Sequence, residues 1–163
     1  MRPAVVIDTN VLVAANDKSE QAGPDCVLAC VSALEKVKTG KLVLVDSGMR
    51  IFDEYRRYAC LSGQPGLGDA FCKWLWYNQA NSRHCQQIEI TSKENDPQDF
   101  IEFPDNPDLA GFDRSDRKFV AVALASGKQP AILNATDSDW WDFRIPLEAN
   151  GIRVEFLCPH LLR

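Results

Sequence analysis

The sequence predicts an α/β domain, a three-layer α/β/α sandwich around a central, mostly parallel sheet of four to five strands. Short runs rich in valine and leucine at residues 3–8 (PAVVID) and 41–46 (KLVLVD) are too short for helices, and each ends on an aspartate. Segments of helical periodicity come between and after such runs, so strand and helix alternate along the chain. A length of 163 residues suits one domain, 1–163, with a single buried core.

Between the first two strands, PDCVLACVSALEKVKTG sets Val27, Cys30, Val31, Leu34 and Val37 at helical spacing, with Pro24 near the start and Gly40 as the stop. After the second strand, SGMRIFDEYRRYACLSG aligns Ile51, Tyr55, Tyr58 and Leu61. LGDAFCKWLWYNQANS aligns Phe71, Leu75 and Tyr77, which makes two more helices. CQQIEIT supplies a third strand. The following KENDPQDFIEFPDNPDLAGFD holds three prolines and mostly polar residues, and reads as a long loop inserted at about 93–112. DRSDRKFVAVALASGK is a helix stopped by Gly127 and PAILNATD a strand. SDWWDFRIPLEANG is helical with an interruption at Pro146, and IRVEFL is the last strand.

A composition of 45% hydrophobic and 25% charged residues excludes a disordered chain. The net charge of -5 argues against a surface that grips nucleic acid over its whole extent, but leaves room for an acidic site within a basic rim. No apolar run reaches membrane-spanning length and no basic leader precedes the first strand, so the expectation is a cytoplasmic protein with no membrane partner. The six cysteines (26, 30, 60, 72, 85 and 158) include no C-x-x-C pair, and Cys26 and Cys30, one helical turn apart, read as core packing. Free thiols in a reducing compartment are expected.

In open α/β sheets, ligands collect at the carboxyl edge of the strands. Asp8, Asp46 and Asp137 fall at or just beyond such ends, Asp116 opens a helix, and Glu54 faces inward on the helix after the second strand. Each alone is explained as a helix cap worth about 1 kcal/mol. Together they would repel one another unless protons or a hard cation such as Mg²⁺ or Mn²⁺ intervened. Asp113 and Asp116 form a D-x-x-D in which Asp113 is the cap.

On these residues the chain resembles the PIN-domain family of metal-dependent ribonucleases, nearly end to end. VVIDTNVLV is similar to that family's first motif, which makes Asp8 a metal ligand supported by Thr9 and Asn10. IFDEYRR offers Glu54 as the second acid. SDRKFVAVALA fits the third motif with Asp116, Phe119, Val120, Ala121 and Ala123. NATDSDWWDF resembles the fourth, with Asp137 as ligand, Asp139 as an auxiliary acid and Thr136 beside a metal-bound water.

The resemblance implies strand order 3-2-1-4-5 and catalysis by Asp8, Glu54, Asp116 and Asp137 with Mg²⁺ or Mn²⁺. It implies internal hydrolysis of RNA, as in VapC-type toxins of toxin/antitoxin pairs, with a small antitoxin and a second copy of the chain as partner classes. Arg56, Arg57, Arg114, Arg117 and Lys118 flank the acids and are candidates for holding phosphate, against the alternative of a solvated helix face. Trp74, Trp76, Trp140 and Trp141 are candidate base-stacking platforms, against the alternative of core packing.

Three other readings compete. A receiver-type phosphoacceptor domain needs paired acids after strand one and a lysine after the last central strand, which VEFLCPH lacks. A haloacid-dehalogenase phosphatase needs D-x-D where this chain has Asn10. A non-catalytic PIN-like RNA- or protein-binding module is compatible with every residue named.

Overall fold

The computed structural model describes residues 2–58 and 66–162. The helix-stripe residue Leu61 and the thiol of Cys60 lie outside the described residues. Five parallel strands form one sheet: β1 (Ala4–Ile7), β2 (Leu42–Asp46), β3 (Cys85–Ile88), β6 (Ala131–Asn134) and β7 (Arg153–Phe156). Their order is β3-β2-β1-β6-β7. This is the expected 3-2-1-4-5 arrangement, with the fourth and fifth sheet strands numbered β6 and β7 because a hairpin intervenes. Val5 pairs with Val43 on one side and Ala131 on the other, so β1 is central. β1, β2 and β6 are buried along their whole length, as strands covered on both faces must be.

Helices flank the sheet to complete the α/β/α sandwich. α1 (Thr9–Ala15) begins one residue after Asp8, and α2 (Pro24–Gly40) starts with proline at its first position, where the missing N–H costs nothing. α3 (Arg50–Tyr58) and α4 (Leu67–Tyr77) follow β2. α4 lies directly on α1: a Cβ on Gly68 would stand 2.1 Å from the Leu12 carbonyl oxygen, so only glycine fits there. The contact is fixed by Asn16, whose Nδ2 donates to Asp69 Oδ1 and whose Oδ1 accepts from the Asp69 N–H, both at 2.8 Å.

α5 (Arg117–Ser126) is buried from Arg117 to Ala123 and ends at Gly127, which takes φ 65° and closes the helix as the sequence suggests. α6 (Ser138–Asp142) and α7 (Arg144–Ala149) divide at Phe143 rather than at Pro146. Pro146 sits in the first turn of α7, where its lack of an N–H removes no intrahelical bond.

The inserted segment is more ordered than a polar loop. It contains an antiparallel hairpin, β4 (Ser92–Lys93) with β5 (Asp96–Phe100), and a 3-10 turn at Pro107–Leu109. Phe100, Phe103, Leu109 and Phe112 are buried, and β5 packs against α5. These apolar residues are spaced too irregularly for either regular period, which is why the pattern reads as loop.

Cys26 and Cys158 form a disulfide across 132 positions of sequence, with Cα atoms 5.4 Å apart. The expectation of free thiols is therefore corrected for this pair. β7 carries Cys158 back against the first turn of α2, a meeting that sequence spacing does not reveal. Cys30, Cys72 and Cys85 remain reduced and buried, and burial pushes their thiols up to about 11, 11 and 12 respectively. No described helix is long and apolar enough to cross a membrane.

Candidate metal centre

Asp8, Asp116 and Asp137 converge at the carboxyl edge of β1 and β6, each offering an oxygen within 4.8 Å of the others. Asp8 caps α1 with Oδ1, which accepts from the Asn10 N–H at 2.9 Å. Its other oxygen, Oδ2, is buried and has no hydrogen-bond partner among the described residues. Asp137 caps α6 by the same device, accepting from the Asp139 N–H at 2.9 Å. Asp116 ends the 3-10 turn Arg114–Asp116 and makes no capping bond. The cap there is Asp113, which accepts from the Ser115 N–H and hydroxyl at 2.9 and 2.8 Å.

Burial dominates the electrostatics. It raises the Asp8 carboxyl to about 7, with further upward pushes from Asp137 and Glu54 and opposing pulls from the Asn10 N–H and Lys118. Asp116 is raised to about 9, first by burial and then by Asp8 and Asp137. Asp137 is raised chiefly by burial, then by Asp139 and Asp113. Asp139 is also raised by burial, and its Oδ2 accepts from the Asp113 N–H at 3.0 Å. Asp113, Asp116 and Asp139 make a second three-carboxylate group that shares Asp116 with the first. In the sequence Asp113 shows only as a cap, since no local pattern reveals that it faces Asp139.

Glu54 is not one of the three converging acids. Its Oε1 accepts from Lys118 Nζ at 2.8 Å and its Oε2 from the Thr9 hydroxyl. Lys118 also donates to the Ser115 carbonyl and is nearly buried. Thr9 thus supports Glu54 rather than Asp8. Asn10 supports the centre differently: its Oδ1 accepts from the Ala135 N–H at 3.0 Å, tying the loop after β6 to the start of α1. Thr136 is half-buried next to Asp137. Asp46 is fully committed to α3, accepting from the N–H groups of Arg50 and Ile51 and pairing with the Arg50 guanidinium.

The candidate phosphate contacts separate. Arg117 is buried and bonds Asp99 at 3.1 Å and the carbonyls of Ala110 and Phe112, with the Phe103 ring against its guanidinium. It anchors the insert, with its guanidinium taken up by Asp99 and two backbone carbonyls. Arg56 pairs with Asp53 and lies over Trp76. Arg57, Arg114 and Lys118 line a cleft next to Glu54. Trp140 is wholly buried, while Trp74 packs on Phe71 and His84.

Three crowded, desolvated carboxylates with an unpartnered buried oxygen suit a hard divalent cation, because all the donors are oxygen and the charge needs compensation. Compared with protein-family models, curated proteins and solved structures, the chain matches none.

Proposed function

We propose that the protein is a Mg²⁺- or Mn²⁺-dependent endoribonuclease of PIN-like design. The observation that carries this reading is the convergence of Asp8, Asp116 and Asp137, with Asp8 Oδ2 buried and unpartnered. These three would hold the cation, with Asp139 beside them. The bound ion supplies positive charge to a phosphate oxygen and a water of lowered pKa. The chain's own groups do the rest. The caps fix Asp8 and Asp137 at the ends of their strands, and Asn10 locks one capped loop to the other. Lys118, bonded to Glu54 and near enough to Asp8 to pull its carboxyl down, would put a positive charge at the edge of the acids for an approaching phosphodiester. Hydrolysis adds water across the P–O bond and releases a 3′ hydroxyl.

RNA as substrate, a cytoplasmic setting, a small antitoxin that caps the acidic site and a second copy of the chain are parts of the same proposal, on the strength of the resemblance in VVIDTNVLV, SDRKFVAVALA and NATDSDWWDF. A non-catalytic nucleic-acid-binding role is the second reading, favoured by Lys118 holding Glu54 out of the acid cluster.

The test is incubation of the full chain with a mixed RNA pool and Mn²⁺ or Mg²⁺, alongside Asp8→Asn and Asp116→Asn. Cleavage by wild type alone, abolished by chelator, supports the hydrolase. Equal cleavage by all three proteins, or cleavage that survives chelation, overturns it. RNA retention without cleavage selects the second reading.

A further inference from the structure

A cleft of about 350 Å³ opens between α3, the β4–β5 hairpin and the 3-10 turn Arg114–Asp116. Glu54 and Lys118 form its inner end, so it adjoins the acid centre. Four cations line it against two carboxylates, in a chain whose net charge is -5. Arg50 is structural: it is held by Asp46, donates to the Ser92 hydroxyl of the hairpin at 3.0 Å and lies over the Phe100 ring. Arg114, itself exposed, contacts the half-buried Asp96 in a pair that solvent partly screens and a phosphate can replace. Arg57 and Tyr58 are exposed on the opposite wall.

The hairpin wall is preorganised, since Asp99 is clamped between Lys93 at 3.0 Å and the buried Arg117 at 3.1 Å. The volume is at the low end of the roughly 300–1,000 Å³ of small-ligand sites, room for one nucleotide. A base can enter such a space only from an unpaired strand, because pairing and stacking hide it in a duplex.

Resting on the hydrolase reading above, we propose that this cleft seats the single nucleotide next to the scissile phosphodiester of an unpaired RNA strand. Arg57 and Arg114 hold its phosphate, and Tyr58 and Pro97 flank its base. The insert is then a specificity element rather than a spacer.

The experiment measures fluorescence anisotropy of a short, labelled, single-stranded RNA of mixed sequence binding the full chain in Ca²⁺. Cleavage products of the same RNA in Mn²⁺ are sequenced in parallel. Arg57→Glu and Arg114→Glu are each expected to weaken binding about tenfold and to flatten its salt dependence. Arg153→Glu, on the far edge of the sheet, leaves binding unchanged, and Tyr58→Ala alters the base preferred next to the cut. All four positions are exposed, and circular dichroism verifies folding. Unchanged affinity in both cleft reversals, with cleavage still lost in Asp8→Asn, overturns the seat and leaves the hydrolase standing. Binding that depends on Arg57 and Arg114 without cleavage in any divalent metal overturns the hydrolase and keeps the cleft only as a nucleotide seat, with no cut beside it. Equal affinity for the same RNA annealed to its complement overturns the seat.

Discussion

Lys118 Nζ lies 2.8 Å from Glu54 Oε1, in a pair whose side chains are only 11% and 16% exposed. An ammonium therefore neutralises the one acid of the proposed four that stands outside the converging group. Lys118→Met should free Glu54 and remove a positive charge near Asp8. At an effective dielectric of about 20 such a charge is worth enough to tighten Mn²⁺ binding roughly tenfold. RNA cleavage should fall in the same variant. Calorimetric titration with Mn²⁺ reads the first effect, and weaker metal binding would show that Lys118 builds the site instead of opposing it.

Asp8→Asn should separate stability from activity. It removes a buried charge whose Oδ2 has no partner, so the chelated protein should melt a few degrees higher than wild type. RNA cleavage should drop on the order of 10²-fold or more. Differential scanning calorimetry in chelator, paired with the cleavage assay, checks both directions.

Stability without metal should fall as pH rises. The unfolded Asp8 carboxyl loses its proton near 3.8 and the folded one near 7, so the folded state binds more protons between those values. Its contribution is complete below the lower value and lost as pH passes the upper. Asp116, raised to about 9, extends the decline to higher pH. Saturating Mg²⁺ or Mn²⁺ should flatten the slope and release protons on binding, which melting curves across pH and calorimetry in two buffers will register.

Arg117→Met should destabilise the chain by about 3–5 kcal/mol, because it leaves Asp99 buried with only Lys93 and strips two carbonyls of their donor. Urea denaturation gives the value. A change below 1 kcal/mol would show that the insert is held by its buried aromatics alone.

Cys158→Ser should cost about 2–5 kcal/mol, the usual range for losing a native cross-link that closes a long loop. Reducing agent should lower the wild-type melting temperature to that of the variant and leave the variant unmoved.

Local pattern suffices to read most of the sheet: β1, β2 and β6 are short buried runs, mostly apolar, β7 alternates charged and apolar residues, and the alternation of these strands with helices sets the parallel order. β3 was harder, because two of its four residues are exposed glutamines. The acid centre was partly legible for the same reason, since Asp8 and Asp137 are fixed by strand ends and Asp116 by a helix start. What local reading misses is long-range. The Lys118–Glu54 pair spans 64 positions, Arg117–Asp99 joins a helix to an insert, and Cys26–Cys158 closes nearly the whole chain. None of these leaves a period or a motif, because each depends on where the backbone turns.

Asp116, Arg117 and Lys118 are consecutive, yet the first faces the acids, the second grips the insert and the third bonds Glu54. A single turn of backbone is thus geared to three separate surfaces. Any partner that levers the hairpin away from α5 would drag on Arg117, and the displacement would reach the Asp116 carboxylate one residue away. The insert can therefore act as a handle on the centre without touching it.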